Sequence, residues 1–313
     1  MAHYAQRPAI IRPMAHLEEA GWQALAEELN AHAERLRGTA GFWVEELRGA
    51  RSAGRLADRP FPTASTIKTA LMVAVLREVE AGRMAWTETL PVPPPDRREL
   101  SPWSWFFPEG QPIDVDGWVN LMIGYSDNTA TIVLRDRVGT ETINRMLEEL
   151  GFRHTRFLSG TPPDSAMLAE LRATFGLGVT TPREMARLLK GIALGHWAGP
   201  AASERMVRIL SHQYWDNLIA SAVPPCVLCA SKSGFVASSR SDTAIVFGPT
   251  PYVAAFYTSD LCDRSWGPNN EAVRWIREAS GIVWRRLAPE AHYEPPPGWD
   301  RLLPRGGGFD EEV

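Results

Sequence analysis

The sequence predicts an α/β protein with two lobes: an antiparallel sheet flanked by helices, and an inserted all-helical lobe. Two observations predict this class. Helical spacing of apolar residues dominates the middle of the chain, whereas strand-like apolar runs occur towards both ends. Because segments from both ends must share one sheet, we expect the middle to form a separate helical unit.

The individual elements follow from the same periodicity. A helix is predicted over residues 17–36 and a strand over 41–47. The helices predicted for the middle are 65–80, 115–123, 128–138, 141–150 and 182–194, followed by strands at 227–235, 243–247 and 252–258 and a helix at 271–286. We expect residues 1–62 with 197–288 to form the α/β lobe, 63–196 the helical lobe and 289–313 an extended tail.

Composition and charge restrict the function classes. The chain has 313 residues, of which 44% are hydrophobic and 22% charged, so disorder is excluded as its dominant state. A net charge of −4 gives no electrostatic reason to expect binding to nucleic acid or an acidic membrane. We therefore predict a small-molecule substrate, no nucleic-acid partner and no cofactor; the oligomeric state is left open.

No targeting or metal motif is predicted. Arg7, Pro8 and Arg12 interrupt the stretch where a secretory signal needs an apolar core, and no apolar run approaches the ~18 residues of a membrane span. A cytoplasmic location is expected for the sequence as it stands, and export if a leader has been removed. Cys226 and Cys229 form one C-x-x-C without the second ligand pair of a zinc site, so no metal is predicted.

Lys68 is the only ionisable side chain in residues 65–76, which are otherwise apolar or hydroxylated. A helix that is apolar on every face is buried, and a buried amine loses its proton easily, as a general base requires. Ser65 precedes Lys68 by one helical turn and is therefore a candidate nucleophile. The alternative is that Ser65 only caps the helix while Lys68 extends to the surface.

Two further clusters suggest substrate handling. In Ser126-Asp127-Asn128, the serine is a candidate proton relay to the leaving group and Asn128 a candidate donor to a substrate amide, although all three are also good N-caps. In Lys232-Ser233-Gly234, the first two residues could bind a carboxylate, and glycine lets a substrate backbone approach closely. Lysine on an edge strand also protects against aggregation.

Together, S-x-x-K, S-D-N and K-[TS]-G in this order resemble the signature of class A β-lactamases and penicillin-binding proteins. The similarity extends over roughly residues 17–287 and includes blocks at 64–68, 125–130 and 179–186. The resemblance implies a two-lobed β-lactamase-like fold. It also implies a serine hydrolase in which Ser65 is acylated, Lys68 is the base and Ser126 is the proton shuttle.

The same resemblance assigns the remaining site residues. It implies that Asn128 binds the substrate amide and that Lys232 with Ser233 clamps its carboxylate, with Arg240 as an additional member. The backbone N–H groups of Ser65 and Phe235 would form the oxyanion hole, which stabilises charge that develops in the transition state.

The family's E-x-x-L-N motif, whose glutamate activates the deacylating water, is missing. The usual interval before the block at 179–186 places Ser165 where that glutamate belongs, and Ala169 where the asparagine belongs. Asp164 and Glu170 are the nearest carboxylates and are the candidates for a deacylation base. Acylation is therefore better supported than deacylation, and a slowly hydrolysed acyl-enzyme is expected.

Three hypotheses remain at this point. The first is a β-lactamase-like hydrolase acting on a β-lactam or a related carboxylate-bearing amide or ester. The second is a penicillin-binding-protein-like peptidase or transpeptidase, or an esterase. The third is a non-catalytic binding module on the same fold. The aromatic residues of 103–107 either wall an apolar substrate pocket or form core between the lobes.

Overall fold

A five-stranded antiparallel sheet, in the order β2-β1-β10-β9-β8, forms the centre of the protein. The computed structural model describes residues 17–99, 103–160 and 165–296. The strands of this sheet are β1 (Thr39–Glu46), β2 (Ser52–Arg55), β8 (Cys229–Val236), β9 (Ser239–Val246) and β10 (Tyr252–Ser259). Strands from both ends of the chain therefore share one sheet, as predicted.

Two small sheets accompany it. One has the order β3-β7-β6, and the other pairs β4 with β5. Their strands are β3 (Phe61–Pro62), β4 (Thr89–Pro91), β5 (Pro112–Asp114), β6 (Arg156–Phe157) and β7 (Gly178–Thr180). The strand β3 leads directly into the segment of Ser65, so its pairing with β7 fixes where that segment begins.

The described residues contain nine α-helices, which lie on both faces of the large sheet. They are α1 (Glu19–Ala33), α2 (Lys68–Glu80), α3 (Val115–Gly124), α4 (Asn128–Val138), α5 (Thr140–Glu149), α6 (Ala166–Phe175), α7 (Pro182–Leu194), α8 (Pro200–Leu210) and α9 (Glu271–Leu287). No helix in the described ranges is long and apolar enough to cross a membrane.

The two faces of the sheet belong to two hydrophobic cores. Phe42 and Phe256 point to one core, which they share with α1 and α9. Val253 and Tyr257, which alternate with Phe256 along β10, point to the other core, which contains most of α2, α3 and α7. This alternation places the apolar helix α2 under the sheet and brings its N-terminal end to the edge formed by β8.

Polar residues at the helix starts fix where several helices begin. The side chains of Asp114, Asp127, Thr181 and Asn270 accept hydrogen bonds from backbone N–H groups in the first turns of α3, α4, α7 and α9. All four of these starts, at residues 115, 128, 182 and 271, coincide with the predicted ones. The capping residues therefore indicated, from the sequence alone, where these helices begin.

Two helices, α6 and α8, are not predicted by the periodicity. The half-buried residues of α6 are Leu168, Leu171 and Phe175, which recur at helical spacing, so a short apolar stripe could have identified this helix. Gly199 and Pro200 at the start of α8 are a helix-start signal that could have identified it. The lobe boundaries stay a prediction. The helix α7, in the predicted helical lobe, contacts both β10 and α8, which belong to the predicted α/β lobe.

Candidate active site

Ser65 lies in a 3-10 turn, Ala64–Ile67, and α2 begins only at Lys68. The backbone N–H of Lys68 donates to the Ser65 carbonyl, so the two residues are one turn apart as predicted. The turn is anchored to β10, because the Thr66 hydroxyl lies 2.8 Å from the Tyr257 hydroxyl. Ser65 itself is half-buried and therefore open to a small substrate.

Lys68 is fully buried and binds the S-D-N turn. Its Nζ donates to the Ser126 carbonyl at 2.6 Å, to the Ser126 hydroxyl at 3.2 Å and to Asn128 Oδ1 at 2.7 Å. Three acceptors match the three protons of an ammonium group. In the described part of the chain Ser65 is not among these acceptors. Because an ammonium group has no lone pair, Lys68 must lose a proton before it can accept one from the serine.

Burial favours that loss. Desolvation lowers the pKa of Lys68 well below its usual value, and the charge of Lys232 lowers it further, while Asp127 opposes both. The alternative that Lys68 extends to the surface is therefore wrong, since its side chain has no exposed area. A buried amine with a depressed pKa, one turn from Ser65 along the chain, is the environment that a general base for a serine nucleophile needs.

The S-D-N turn is held in an unfavourable backbone conformation. Ser126 has φ 57°, in the left-handed region that costs a non-glycine residue roughly 1–2 kcal/mol. In this conformation its carbonyl and its hydroxyl both face Lys68. Asp127 stabilises the turn, since its buried carboxylate accepts from the backbone N–H groups of Ala130 and Ser104. Asp127 therefore does the capping, and Ser126 and Asn128 keep side-chain contacts with Lys68.

The K-S-G segment lies on β8, the edge strand nearest Ser65. A β-carbon added to Gly234 would lie 2.5 Å from the Thr63 carbonyl oxygen and 2.9 Å from the Ser65 backbone nitrogen. Only glycine permits so close an approach. The structure therefore brings the backbone of β8 directly against that of Ser65.

The open edge of β8 presents backbone N–H groups. The Ser233 N–H points away from β9 and donates to Gln213 Oε1 at 2.8 Å. Because N–H directions alternate along a strand, the N–H of Phe235, two residues on, faces the same open edge. This is the arrangement that the predicted oxyanion hole requires: two N–H groups, from Ser65 and Phe235, on neighbouring backbones.

Lys232 and Ser233 are both buried beside Gln213. Lys232 Nζ donates to Gln213 Oε1 at 3.2 Å and to the Ser233 carbonyl at 2.9 Å. Desolvation lowers the pKa of Lys232 to about 7, although the nearby Asp242 raises it. Desolvation also raises the pKa of Asp242, which lies on β9 opposite Ser233, to about 7.

Arg240 does not join this group. Its guanidinium donates to the carbonyls of Val236, Ser239 and Ser265, and it lies 4.6 Å from the Trp266 ring centroid. Ser241, the next residue along β9, instead points its hydroxyl to the Thr63 carbonyl beside the nucleophile. Since side chains alternate along a strand, Arg240 faces the other side, where it secures the β8–β9 turn.

The candidate deacylation bases have no comparable place. Glu170 lies exposed on α6, and within the described residues its carboxylate has no hydrogen-bond or ion-pair partner. Asp164 lies outside the described residues. Ser165, at the position where the family motif has glutamate, directly precedes α6. The structure therefore holds Lys68, Ser126 and Asn128 in one hydrogen-bonded group, whereas no described partner holds the Glu170 carboxylate in place.

The aromatic segment divides between the two predicted roles. Trp103 packs on Tyr125 with ring centroids 4.3 Å apart, and on Tyr214 at 6.1 Å, beside the S-D-N turn. Phe106 is 77% exposed, whereas Phe107 packs against the core that contains α2. Thus Phe107 contributes to the core, and the rings of Trp103, Tyr125 and Tyr214 cluster near Ser126, where a role as a pocket wall stays a prediction.

Sequence reasoning missed two buried residues next to the K-S-G strand, Gln213 and Asp242. Gln213 stands in a loop without any motif, and Asp242 is preceded by serine and arginine at a strand start, so neither carries a local signal. Cys229, which begins β8, and the other two cysteines are free thiols.

The family comparison agrees with this geometry. A model of the Beta-lactamase enzyme family matches residues 24–287. The chain belongs to this family. The predicted resemblance to β-lactamase-like serine hydrolases and the predicted α/β fold are therefore confirmed.

Individual relatives are distant but cover most of the chain. A β-lactamase of Rhodobacter capsulatus is 25% identical over 275 residues, which are 87% of this chain and 92% of the relative. A mutant of PBP-A, solved as an acyl-enzyme complex with penicillin G, has a TM-score of 0.73 and 25% identity, and the match covers 84% of this chain and 96% of that one. A β-lactamase from Sphaerobacter thermophilus, 24% identical with a TM-score of 0.72 over 87% of this chain and 98% of that one, shows the same fold.

Proposed function

We propose that this member of the family acylates Ser65 with a β-lactam or a related carboxylate-bearing amide or ester, and hydrolyses the acyl-enzyme slowly. The observation that carries this proposal is the environment of Lys68. Its amine is fully buried, one turn from Ser65, and bonded to both Ser126 and Asn128. A binding module would gain nothing from an amine held at such a desolvation cost.

The acylation step follows from these contacts. Neutral Lys68 takes the Ser65 hydroxyl proton while Oγ attacks the substrate carbonyl carbon. The oxyanion that forms accepts hydrogen bonds from the backbone N–H groups of Ser65 and Phe235. As the carbon–nitrogen or carbon–oxygen bond breaks, Ser126 donates a proton to the leaving atom and is reprotonated from Lys68. The product is an ester between Ser65 and the acyl group.

Substrate recognition is assigned to the two polar clusters beside the nucleophile. We propose that Asn128 binds the substrate amide and that Lys232 and Ser233 hold its carboxylate, with Gly234 allowing the close approach. Arg240 is left out of this clamp because its guanidinium is bound to three carbonyls elsewhere.

We propose slow deacylation because neither Ser165 nor Glu170 supplies a general base that is held in place. Ser165 replaces the motif glutamate, and Glu170 on α6 is exposed without a described partner. Without a carboxylate held near the ester, water lacks a general base, which contributes roughly 10²–10⁴-fold in rate where it is present. An acyl-enzyme should therefore persist.

A second candidate is a penicillin-binding-protein-like peptidase or transpeptidase. The match to PBP-A, whose mutant was solved with penicillin G bound covalently, favours it. In this alternative an amine acceptor replaces water in the second step. The acylation step and its residues are the same in both candidates.

Intact-protein mass spectrometry after addition of a penicillin or a chromogenic cephalosporin tests the proposal. A lasting adduct that Ser65→Ala abolishes supports acylation with poor hydrolysis, and its loss on adding an amine acceptor supports transpeptidation. Rapid turnover without an adduct contradicts slow deacylation. Absence of both adduct and turnover, with ester substrates also inert, contradicts the enzyme and favours the binding module.

A further inference from the structure

Gln213 covers the open edge of β8 at the K-S-G segment. Its side-chain oxygen accepts from the Ser233 N–H at 2.8 Å, the Ser233 hydroxyl at 3.2 Å and Lys232 Nζ at 3.2 Å. The Gln213 side chain is itself buried. One amide oxygen therefore gathers all three donors that the two residues direct to this edge.

The orientation of the Gln213 amide is fixed by the Lys232 ammonium and the Ser233 N–H, which can only donate hydrogen bonds. The Gln213 Nε2 donates to the Ser231 hydroxyl at 2.8 Å. Turning the amide over would aim its NH₂ group at an ammonium and a backbone N–H, which have no free acceptor to offer. The Gln213 oxygen therefore faces Lys232 and Ser233, and its Nε2 faces Ser231.

We propose that Gln213 is a positioning residue of the carboxylate clamp: its oxygen holds the Lys232 ammonium and the Ser233 hydroxyl side by side, and on binding the hydroxyl turns to the substrate carboxylate, which also accepts from the remaining proton of the ammonium. The inference rests on the proposed function, in which these two residues bind the substrate carboxylate. A lysine side chain has four rotatable carbon–carbon bonds, so fixing its end in advance reduces the entropy lost on binding.

The charges around Lys232 show why a neutral acceptor suits this place. Lys68 faces it from α2 and Asp242 from β9, and Asp127 and Asp216 lie near those two groups. Burial already lowers the pKa of Lys232 to about 7. The oxygen of Gln213 favours the ammonium without a full charge, so it does not compete with a substrate carboxylate as a buried aspartate or glutamate would.

The kinetic test compares two substrates that differ in one group. We measure kcat/KM for acylation by a carboxylate-bearing β-lactam and by its methyl ester, in the wild type and in Gln213→Met, which keeps the length of the side chain but removes the acceptor. The ratio of the two values should fall about tenfold, the effect of losing one hydrogen bond to a charged group. Gln23→Leu, at an exposed position on α1, is the matched control and should leave the ratio unchanged.

Ser231→Ala is the second variant, in case Gln213→Met does not fold. It leaves Gln213 in place and removes the hydroxyl that orients the amide. The same ratio should fall, but by less than in Gln213→Met. In both variants the change should appear in KM for the carboxylate-bearing substrate and not in kcat.

A titration of the lysines tests the inference without any substrate. The chain has three lysines, Lys68, Lys190 and Lys232, so side-chain ¹³C signals of lysine-labelled protein can be assigned by single substitutions. Removing the acceptor in Gln213→Met should lower the titration midpoint of Lys232, and placing a carboxylate there in Gln213→Glu should raise it.

Two outcomes overturn the positioning role. One is a Gln213→Met protein that folds and shows the wild-type substrate ratio and Lys232 midpoint. The other is an equal loss of rate with both substrates and no shift of that midpoint, as expected from structural damage. If the wild type is acylated by neither substrate, the proposed function fails, whereas the titration still decides whether Gln213 positions Lys232.

Discussion

The nucleophile region and the segment around α6 differ in how their residues are held. Around the nucleophile, Lys68, Thr66 and Asp127 are fully buried, and each is bonded to a second element. Along α6, no residue is buried and Met167 is 64% exposed. Packing therefore encloses Lys68, Thr66 and Asp127 completely, whereas α6 has one half-buried face and no fully buried side chain.

The difference has a chemical consequence. A proton transfer needs donor and acceptor within hydrogen-bond reach, which buried and mutually bonded groups satisfy without reorganisation. An exposed carboxylate such as Glu170 has no such constraint. This contrast supports the proposal that Ser65 is acylated readily and that the acyl-enzyme is hydrolysed slowly.

The largest effect is expected when the buried base is removed. Lys68→Met should lower the second-order rate of acylation by a β-lactam about 10³-fold, because the Ser65 hydroxyl loses its proton acceptor. The rate is measured from adduct formation by mass spectrometry. Lys190→Arg, which retains a cation beside Glu45, is the control. A loss smaller than tenfold would show that another group accepts the proton.

The second effect concerns Glu184, which holds the backbone of residues 153–155, ahead of α6 in the chain. Glu184, buried on α7, accepts from the backbone N–H groups of Arg153, His154 and Thr155. Glu184→Ala should leave these donors unsatisfied and lower the free energy of unfolding by about 3 kcal/mol. Urea denaturation measures the change. An unchanged midpoint would mean that this loop is not held by the carboxylate.

The third effect tests whether a carboxylate introduced next to α6 speeds up deacylation. Ser165→Glu places a base at the motif position and should shorten the lifetime of the penicillin adduct by roughly tenfold or more. Glu170→Gln should leave that lifetime within about twofold, because the exposed carboxylate is not held near the site. Adduct decay followed by mass spectrometry reads both. A longer lifetime in Glu170→Gln would identify it as the base after all.

The smallest effect is a pH dependence of substrate binding. The pKa of Lys232 is lowered to about 7, so its positive charge is present below that pH and is lost as the pH rises through it. Binding of a carboxylate-bearing β-lactam to Ser65→Ala should therefore weaken by up to about tenfold between pH 6 and 8.5. Calorimetric titration measures the affinity. In Lys232→Arg the loss should move to higher pH, since guanidinium remains protonated.

The sequence predicted the residues of the candidate site better than the residues that hold them in place. The three motifs placed Ser65, Lys68, Ser126, Asn128 and Lys232 in the site, and the structure brings them together, because each motif lies on one local element with a fixed spacing. Their roles in catalysis stay predictions. Arg240 was placed in the clamp by resemblance alone, and the side of β9 that its side chain faces depends on the pleat of that strand and on its pairing with β8 and β10.

By itself, the sequence determined the α/β class, the buried helix α2 and the one-turn spacing of Ser65 and Lys68, since periodicity, capping groups and i, i+3 spacing act locally along the chain. Only the tertiary structure decided that Gln213 covers the edge of β8, that Arg240 turns away and that α6 remains exposed. Those features depend on contacts between residues far apart in sequence, and burial, which no local pattern records, decides which polar groups meet there.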